Sequence, residues 1–182
     1  MRHRIALIAV IALIAGGSAA LVAVTNGGGA TAPASSSASL DAKERAALVY
    51  IREEEKLARD VYRAMIRRYG ARPFTNIASA EERHMSAVKV LLDRYGVADP
   101  AAGRAEGRFA DPALQKLHDR LVAKGLRSLD DAMQVGVLIE RTDIADITDR
   151  LDEVQRADIR QVFMNLRDGS ERHLEAFQRW AP

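Results

Sequence analysis

The chain contains no cysteine. That excludes disulfides, thiolate metal sites, iron–sulfur clusters, a thiol nucleophile and lipid attachment through a cysteine. Aromatic residues are only 5% of the 182 positions, so Leu, Ala, Ile and Val carry most of the 48% hydrophobic content. An excess of one charge is missing too. The 27 basic and 25 acidic residues nearly cancel, leaving +2, and no Lys/Arg run is long enough to announce nucleic acid as a partner. Neither a strand-like alternation nor an internal repeat is present. What the sequence does have is 29% charged residues interleaved with apolar ones at helical spacing, over a length sufficient for one domain with a sizeable core.

The beginning of the chain stands apart. Arg2, His3 and Arg4 precede a nearly unbroken apolar run from Ile5 to Val24. A basic flank before about 20 apolar residues reads as a secretory signal or a retained membrane anchor. Gly16, Gly17 and Ser18 interrupt the run, and Ser18-Ala19-Ala20 offers small residues for cleavage, so both fates stay open. Either one puts the following domain outside the cytoplasm, secreted or at the cell envelope, with the membrane met only through this segment. Residues 25–39 (TNGGGATAPASSSAS) have no periodicity and read as a flexible linker. The chain thus divides into 1–24, 25–39 and a helical domain over 40–182.

Apolar stripes of period 3.6 predict long helices over about 41–69, 76–95, 129–148 and 155–180, with a shorter one over about 112–123 in the connection between the second and third. Ser39 or Asp41 would cap the first helix and Gly70 end it. Pro73 would break the chain before the second, Gly96 would end that one, and Gly125 would close the short helix. Ser128-Leu-Asp-Asp131 has the form of an acidic capping box. The fold class is all-α.

Six titratable residues stand where a plain bundle would carry leucine. Glu55 shares a stripe with Leu48, Ile51 and Tyr62. Glu81 shares one with Ile77, Met85 and Val88, and His84 lies a turn further on. Glu140 lines up with Met133, Gly136 and Ile147, with Asp143 a turn away, and His173 lines up with Leu166 and Phe177. Burying one unpartnered carboxylate ion costs several kcal/mol. Four on one inner surface call for something cationic between them, and one or two metal ions are the simplest resolution. Carboxylate oxygens with imidazole suit iron or manganese, and would also take zinc. Glu-x-x-His, as in Glu81–His84, turns an oxygen and a nitrogen to the same side of a helix. A single such motif is common by chance; the weight lies in polar residues centring four separate stripes.

The competing reading is a salt-bridge network in which Arg52, Arg83 or Arg141 neutralise the same acids, leaving a structural or interaction module. Glu53, Glu54 and Asp146 fall at or beyond the stripe edges and read as solvated. His118 reads as a surface or packing residue, Tyr62 as a packing residue or a donor to a ligand carboxylate, and Trp180 as a closure of the core.

The segments REEEKLARDVY, ASAEERHMSAVKVLLDRYG, VGVLIERTDIADI and GSERHLEAF resemble an uncharacterised ferritin-like family, domain of unknown function 2202. Glu55 followed by Tyr62 is similar to the first-helix pattern of ferritins and rubrerythrins, Glu81-Glu-Arg-His84 to their second-helix motif, and Glu140 to their third-helix glutamate. The resemblance implies a ferritin-like four-helix bundle with a di-iron-type site and, if the metals are redox-active, reaction with oxygen or peroxide. One position departs from the pattern. Ferritin-like carboxylate enzymes carry a second Glu-x-x-His on the fourth helix, whereas here Ser170 precedes His173 and Glu171 projects off the stripe. Either Asp143 supplies the missing oxygen or the second metal position is depleted. A non-catalytic metal-binding or sensing module therefore stands beside the oxidoreductase reading.

Overall fold

The computed structural model describes residues 40–180, and the expected signal or anchor and the linker lie outside the described residues. Five helices make up the domain: α1 (Ala42–Tyr69), α2 (Arg72–Arg94), α3 (Pro112–Gly125), α4 (Leu129–Glu153) and α5 (Ala157–Trp180). No strand occurs among the described residues, so the class is all-α, as the periodicity requires. No helix among them is long and apolar enough to cross a membrane.

The helix ends follow local chemistry. Asp41 accepts the Glu44 N–H at 2.8 Å, and Gly70 closes α1 at φ 61°, a left-handed conformation that glycine adopts without a Cβ penalty. Ser128 caps α4 by accepting the Asp131 N–H at 3.0 Å. Pro73 does not break the chain before α2. It sits in the first turn of that helix, where a missing N–H leaves nothing unsatisfied. Helix α4 continues to Glu153, past the expected end at 148. Gly125 is the last residue of α3, and it must be small because a Cβ would lie 2.7 Å from the Met65 side chain.

The four long helices form a ring in which α1 touches α2 and α4, and α5 touches the same two. Glu55 faces His84 while Arg59 faces Glu82, Tyr50 faces Asp146 while Tyr62 faces Glu140, and Gly136 faces Phe177 while Asp143 faces Ser170, so neighbours run antiparallel. Helices α2 and α4 therefore point the same way, and the segment between them must return along the length of the ring. Helix α3 lies in that return, packed on α1 and α4.

The return segment is fastened to one side of α1. Arg52 binds both carboxylate oxygens of Asp99, at 3.0 and 2.9 Å, and Glu53 accepts the N–H groups of Ala110 and Asp111. The Lys56 ammonium donates to Asp60 and, at 3.0 Å, to the Ala105 carbonyl, while Asp60 accepts the Gly107 N–H at 2.8 Å. Glu53 is consequently buried rather than solvated, and Glu54 is buried too, on the side facing α4. A wheel drawn about one stripe assumes one buried face, and α1 has three. Asp146, expected at the surface, is half-buried and accepts a hydrogen bond from Tyr50 at 2.8 Å. Trp180 is 56% exposed and does not close the core. Phe177 does, its ring 5.2 Å from Tyr62 and 5.3 Å from Phe74, admitted by Gly136, where a Cβ would meet that ring at 2.6 Å.

The core falls into two apolar clusters. One gathers Tyr62, Met65, Phe74, Met133 and Phe177; the other gathers Leu48, Ile51, Leu92, Ile147 and Phe163. Between them lies a polar layer contributed by all four long helices.

Candidate metal centre

Each helix of the ring brings its polar residue to that layer because the positions fall between two apolar turns. Glu55 lies between Ile51 and Ala58, Glu81 between Ala78 and Met85, and Glu140 with Asp143 between Val135 and Ile147. Glu55, Glu81 and Glu140 are each 1% exposed and Asp143 is 4% exposed, while His84 and His173 are half-buried at the edge. The two imidazole rings are stacked 5.4 Å apart.

Two groups of three ligand atoms emerge: Glu55, Glu81 and His84, and Glu81, Glu140 and His173, the atoms of each within 4.8 Å of one another. Glu81 belongs to both. Its Oε2 is 2.9 Å from His84 Nδ1 and its Oε1 is 2.9 Å from His173 Nδ1. His84 Nδ1 is also 3.2 Å from Glu55 Oε2, and His173 Nδ1 is 3.6 Å from Glu140 Oε2. The opposite edge of the His84 ring rests on Gly169 of α5, where a Cβ would be 2.6 Å from Nε2.

Several of these atoms lie close without bonding. Glu55 Oε1, Glu81 Oε1, Asp143 Oδ1 and His173 Nδ1 are buried with no hydrogen-bond partner. Orphaned buried polar atoms are rare and costly. Glu81 Oε1 and His173 Nδ1 stand 2.9 Å apart without the alignment of a hydrogen bond, a spacing that ligand atoms around one cation can share. A set of hard oxygens with imidazole nitrogens fits iron, manganese or zinc.

The arginines proposed as an alternative go elsewhere. Arg52 holds Asp99, Arg83 donates to the Ser79 carbonyl and Arg141 is exposed. Among the described residues, the nitrogens within ion-pair range of Glu55, Glu81 and Glu140 are the two imidazoles.

The ionisation pattern is that of crowded acids without enough positive charge. Burial and the charge of Glu81 push Glu140 up to about 8 and Asp143 up to about 7. Burial and Asp143 raise Glu55 well above the carboxylate range. Burial opposes charge on the imidazoles, yet Glu55 and Glu81 lift His84 to about 11, and Glu140 and Glu81 lift His173 to about 9. Burial also opposes charge on Glu81, but His173 and His84 outweigh it and hold that carboxyl below its ordinary value. Protons thus occupy the layer where cations could.

Three residues were not singled out as site members by sequence. Glu54 is buried on the α4 side of α1, its carboxyl raised by burial and by Asp143 and Asp146; the burial of a second face of α1 has no signature in a single stripe. Tyr62, left open between packing and bonding, donates its hydroxyl to Glu140 Oε1 at 2.6 Å. Ser170, fully buried, donates to Asp143 Oδ2 and lies 3.1 Å from the Leu166 carbonyl. Asp143 is brought into the layer but into neither three-atom group. His118 packs on Phe109, remote from the layer.

Fold and site together define an all-helical protein with a buried carboxylate–imidazole layer shared by four helices. Residues 44–181 match the family described as "Uncharacterized protein domain (DUF2202)", and the chain belongs to that family. The uncharacterized protein MJ0754 of Methanocaldococcus jannaschii is 41% identical over 140 residues, which are 77% of this chain and 76% of that protein. The crystal structure of the hypothetical protein MJ0754 matches with a TM-score of 0.76 at 41% identity, covering 78% of this chain and 81% of that one.

Proposed function

We propose that the domain is a ferritin-like metal-binding protein that holds one or two iron or manganese ions within the ring of long helices. The observation that carries this reading is Glu81, which offers one oxygen to each of two Glu–His groups. Antiparallel neighbours with one long return connection are the order of ferritin-like four-helix bundles. Glu55, Glu81 and His84 would hold one ion, and Glu81, Glu140 and His173 the other, with Asp143 alongside. Such ions would give electrons to a small oxidant such as oxygen or peroxide and be oxidised themselves. The chain's own residues bind and orient: Tyr62 fixes Glu140, Gly169 lets His84 stand close to α5, and the two apolar clusters keep water out of the layer. The basic-flanked run Ile5–Val24 supports a location outside the cytoplasm. A non-catalytic metal-binding or sensing role is the second reading, supported by the absence of a glutamate at position 170.

The test is metal content of the full chain purified without chelator, beside a Glu81→Ala, His84→Ala variant. Near-stoichiometric iron or manganese, lost in the variant, is the expected result. No metal in either, with folding unchanged, would sink the proposal. Consumption of peroxide by the loaded protein separates the two readings.

A further inference from the structure

Position 170 looks at first like a gap in the ligand set, yet it is filled. Ser170 and His173 are one turn apart on α5, and Glu140 and Asp143 are one turn apart on α4. Across the antiparallel α4–α5 contact, the Ser170 hydroxyl donates to Asp143 Oδ2, and the serine is fully buried. A glutamate at 170 would have pushed its carboxylate into the layer. The shorter serine leaves that volume to an acid from the facing helix and supplies the hydrogen bond that holds it there. Asp143 Oδ1 remains buried with no partner, and an ionised carboxylate that accepts one hydrogen bond on Oδ2 still has lone pairs free on both oxygens.

We infer that Asp143, held by Ser170, is the second carboxylate shared between the two cation positions, so that α4 supplies the bridge that α5 does not. The inference rests on the two-ion form of the proposed function. Ser170 is a positioning residue. It touches no ion, and without its hydroxyl Asp143 would stand in a layer with three other acids and no donor to fix its direction. The departure at 170 thereby becomes an exchange of the bridging acid from one helix to its neighbour, and the layer keeps four carboxylates and two imidazoles.

The test is a titration of the chelator-treated full chain with Mn²⁺, followed by calorimetry for the two stepwise affinities and by low-temperature electron paramagnetic resonance for exchange coupling between the ions. The wild-type chain is expected to take up two coupled Mn²⁺. Ser170→Ala is expected to weaken the second ion by about 10–100-fold, the usual effect of losing a residue that orients a ligand, with a smaller loss for the first and weaker exchange coupling. Asp143→Asn, which preserves shape and an acceptor for Ser170, should do the same, and the double variant should lose no more than Asp143→Asn alone. A purely structural role would lower thermal stability without changing the ratio of the two affinities. Two coupled ions with wild-type affinity in either single variant would overturn the inference, as would equal loss of both ions. A wild-type chain that binds one Mn²⁺ or none overturns the two-ion reading itself, and this inference with it.

Discussion

His84 stands where it does because the residue opposite it on α5 has no side chain. A Cβ on Gly169 would come within 2.6 Å of Nε2, so the ring would have to move off Glu55 and Glu81. Gly169→Ala is expected to lower stability by about 1–3 kcal/mol, the range for overpacking a close contact. It should also weaken Mn²⁺ binding, read by urea unfolding with and without the ion. Tyr62 acts from the other side of the layer. Removing its hydroxyl in Tyr62→Phe leaves a buried oxygen of Glu140 without its donor, and the expected loss is about 1–3 kcal/mol in the same measurement. At this scale the sequence revealed what interrupts a pattern. Glu55, Glu81, Glu140, Asp143 and His173 were legible because each is polar in an apolar stripe. Ser170 was legible only as a missing glutamate, because a small hydroxyl is compatible with any helix face and its partner Asp143 is 27 residues away. Gly169 gave no signal, since a helical glycine reveals its purpose only when the ring it accommodates is seen.

Among the elements, α1 carries the most varied duties. One face holds Glu55 and Tyr62 toward the layer, a second sets Tyr50 and Glu54 against α4, and a third ties down the return segment through Arg52, Glu53, Lys56 and Asp60. Lys56 and Asp60 are 1% and 0% exposed, so truncating one strands a buried charge. Asp60→Ala is expected to cost about 3–5 kcal/mol, whereas replacing both by apolar residues, Lys56→Met with Asp60→Leu, should cost far less. Chemical denaturation of the three variants decides this. The sequence foretold α1 to within a residue of its ends, because Gly70 is a clear terminator and both cap candidates, Ser39 and Asp41, lie just before the stripe; Asp41 is the cap. It misread Pro73, which opens a helix as readily as it interrupts one, and it stopped α4 early: the helix runs on to Glu153 with Asp149 and Asp152 exposed. The burial of Glu53 was not legible at all, since it depends on a connecting segment whose path no periodicity encodes, and that of Glu54 depends on a second buried face, turned to α4.

For the molecule as a whole, the layer ties stability to pH and, under the proposed function, to metal. Unfolded carboxyls titrate near 4 and imidazoles near 6.5. Folding raises Asp143 to about 7, Glu140 to about 8, His173 to about 9 and His84 to about 11, so the metal-free fold holds more protons than the unfolded chain. The stability given by the imidazoles is complete below about 6.5 and is lost as pH rises through 9 and 11. The two raised acids add to the decline, since above about 4 the unfolded chain ionises them more readily than the fold does. Glu81, held low, contributes in the opposite sense, and its share is lost only in acid. Chelator-treated protein should therefore melt at progressively lower temperature from pH 6 to pH 9.5, and saturating Mn²⁺ should flatten that slope because ions take the place of the protons. Calorimetry in buffers of different ionisation enthalpy should register proton release on binding, with affinity that rises with pH. The two groups share Glu81 of α2, and their other members divide along the chain. Glu55, Glu81 and His84 belong to α1 and α2, while Glu140, Asp143, Ser170 and His173 belong to α4 and α5. In the proposed two-ion form, α1 and α2 carry the first cation position whole, before α4 and α5 dock to complete the second. The first ion would then wait in a half-built cup for the second pair of helices to close over it, making the loading of metal and the last step of folding one event.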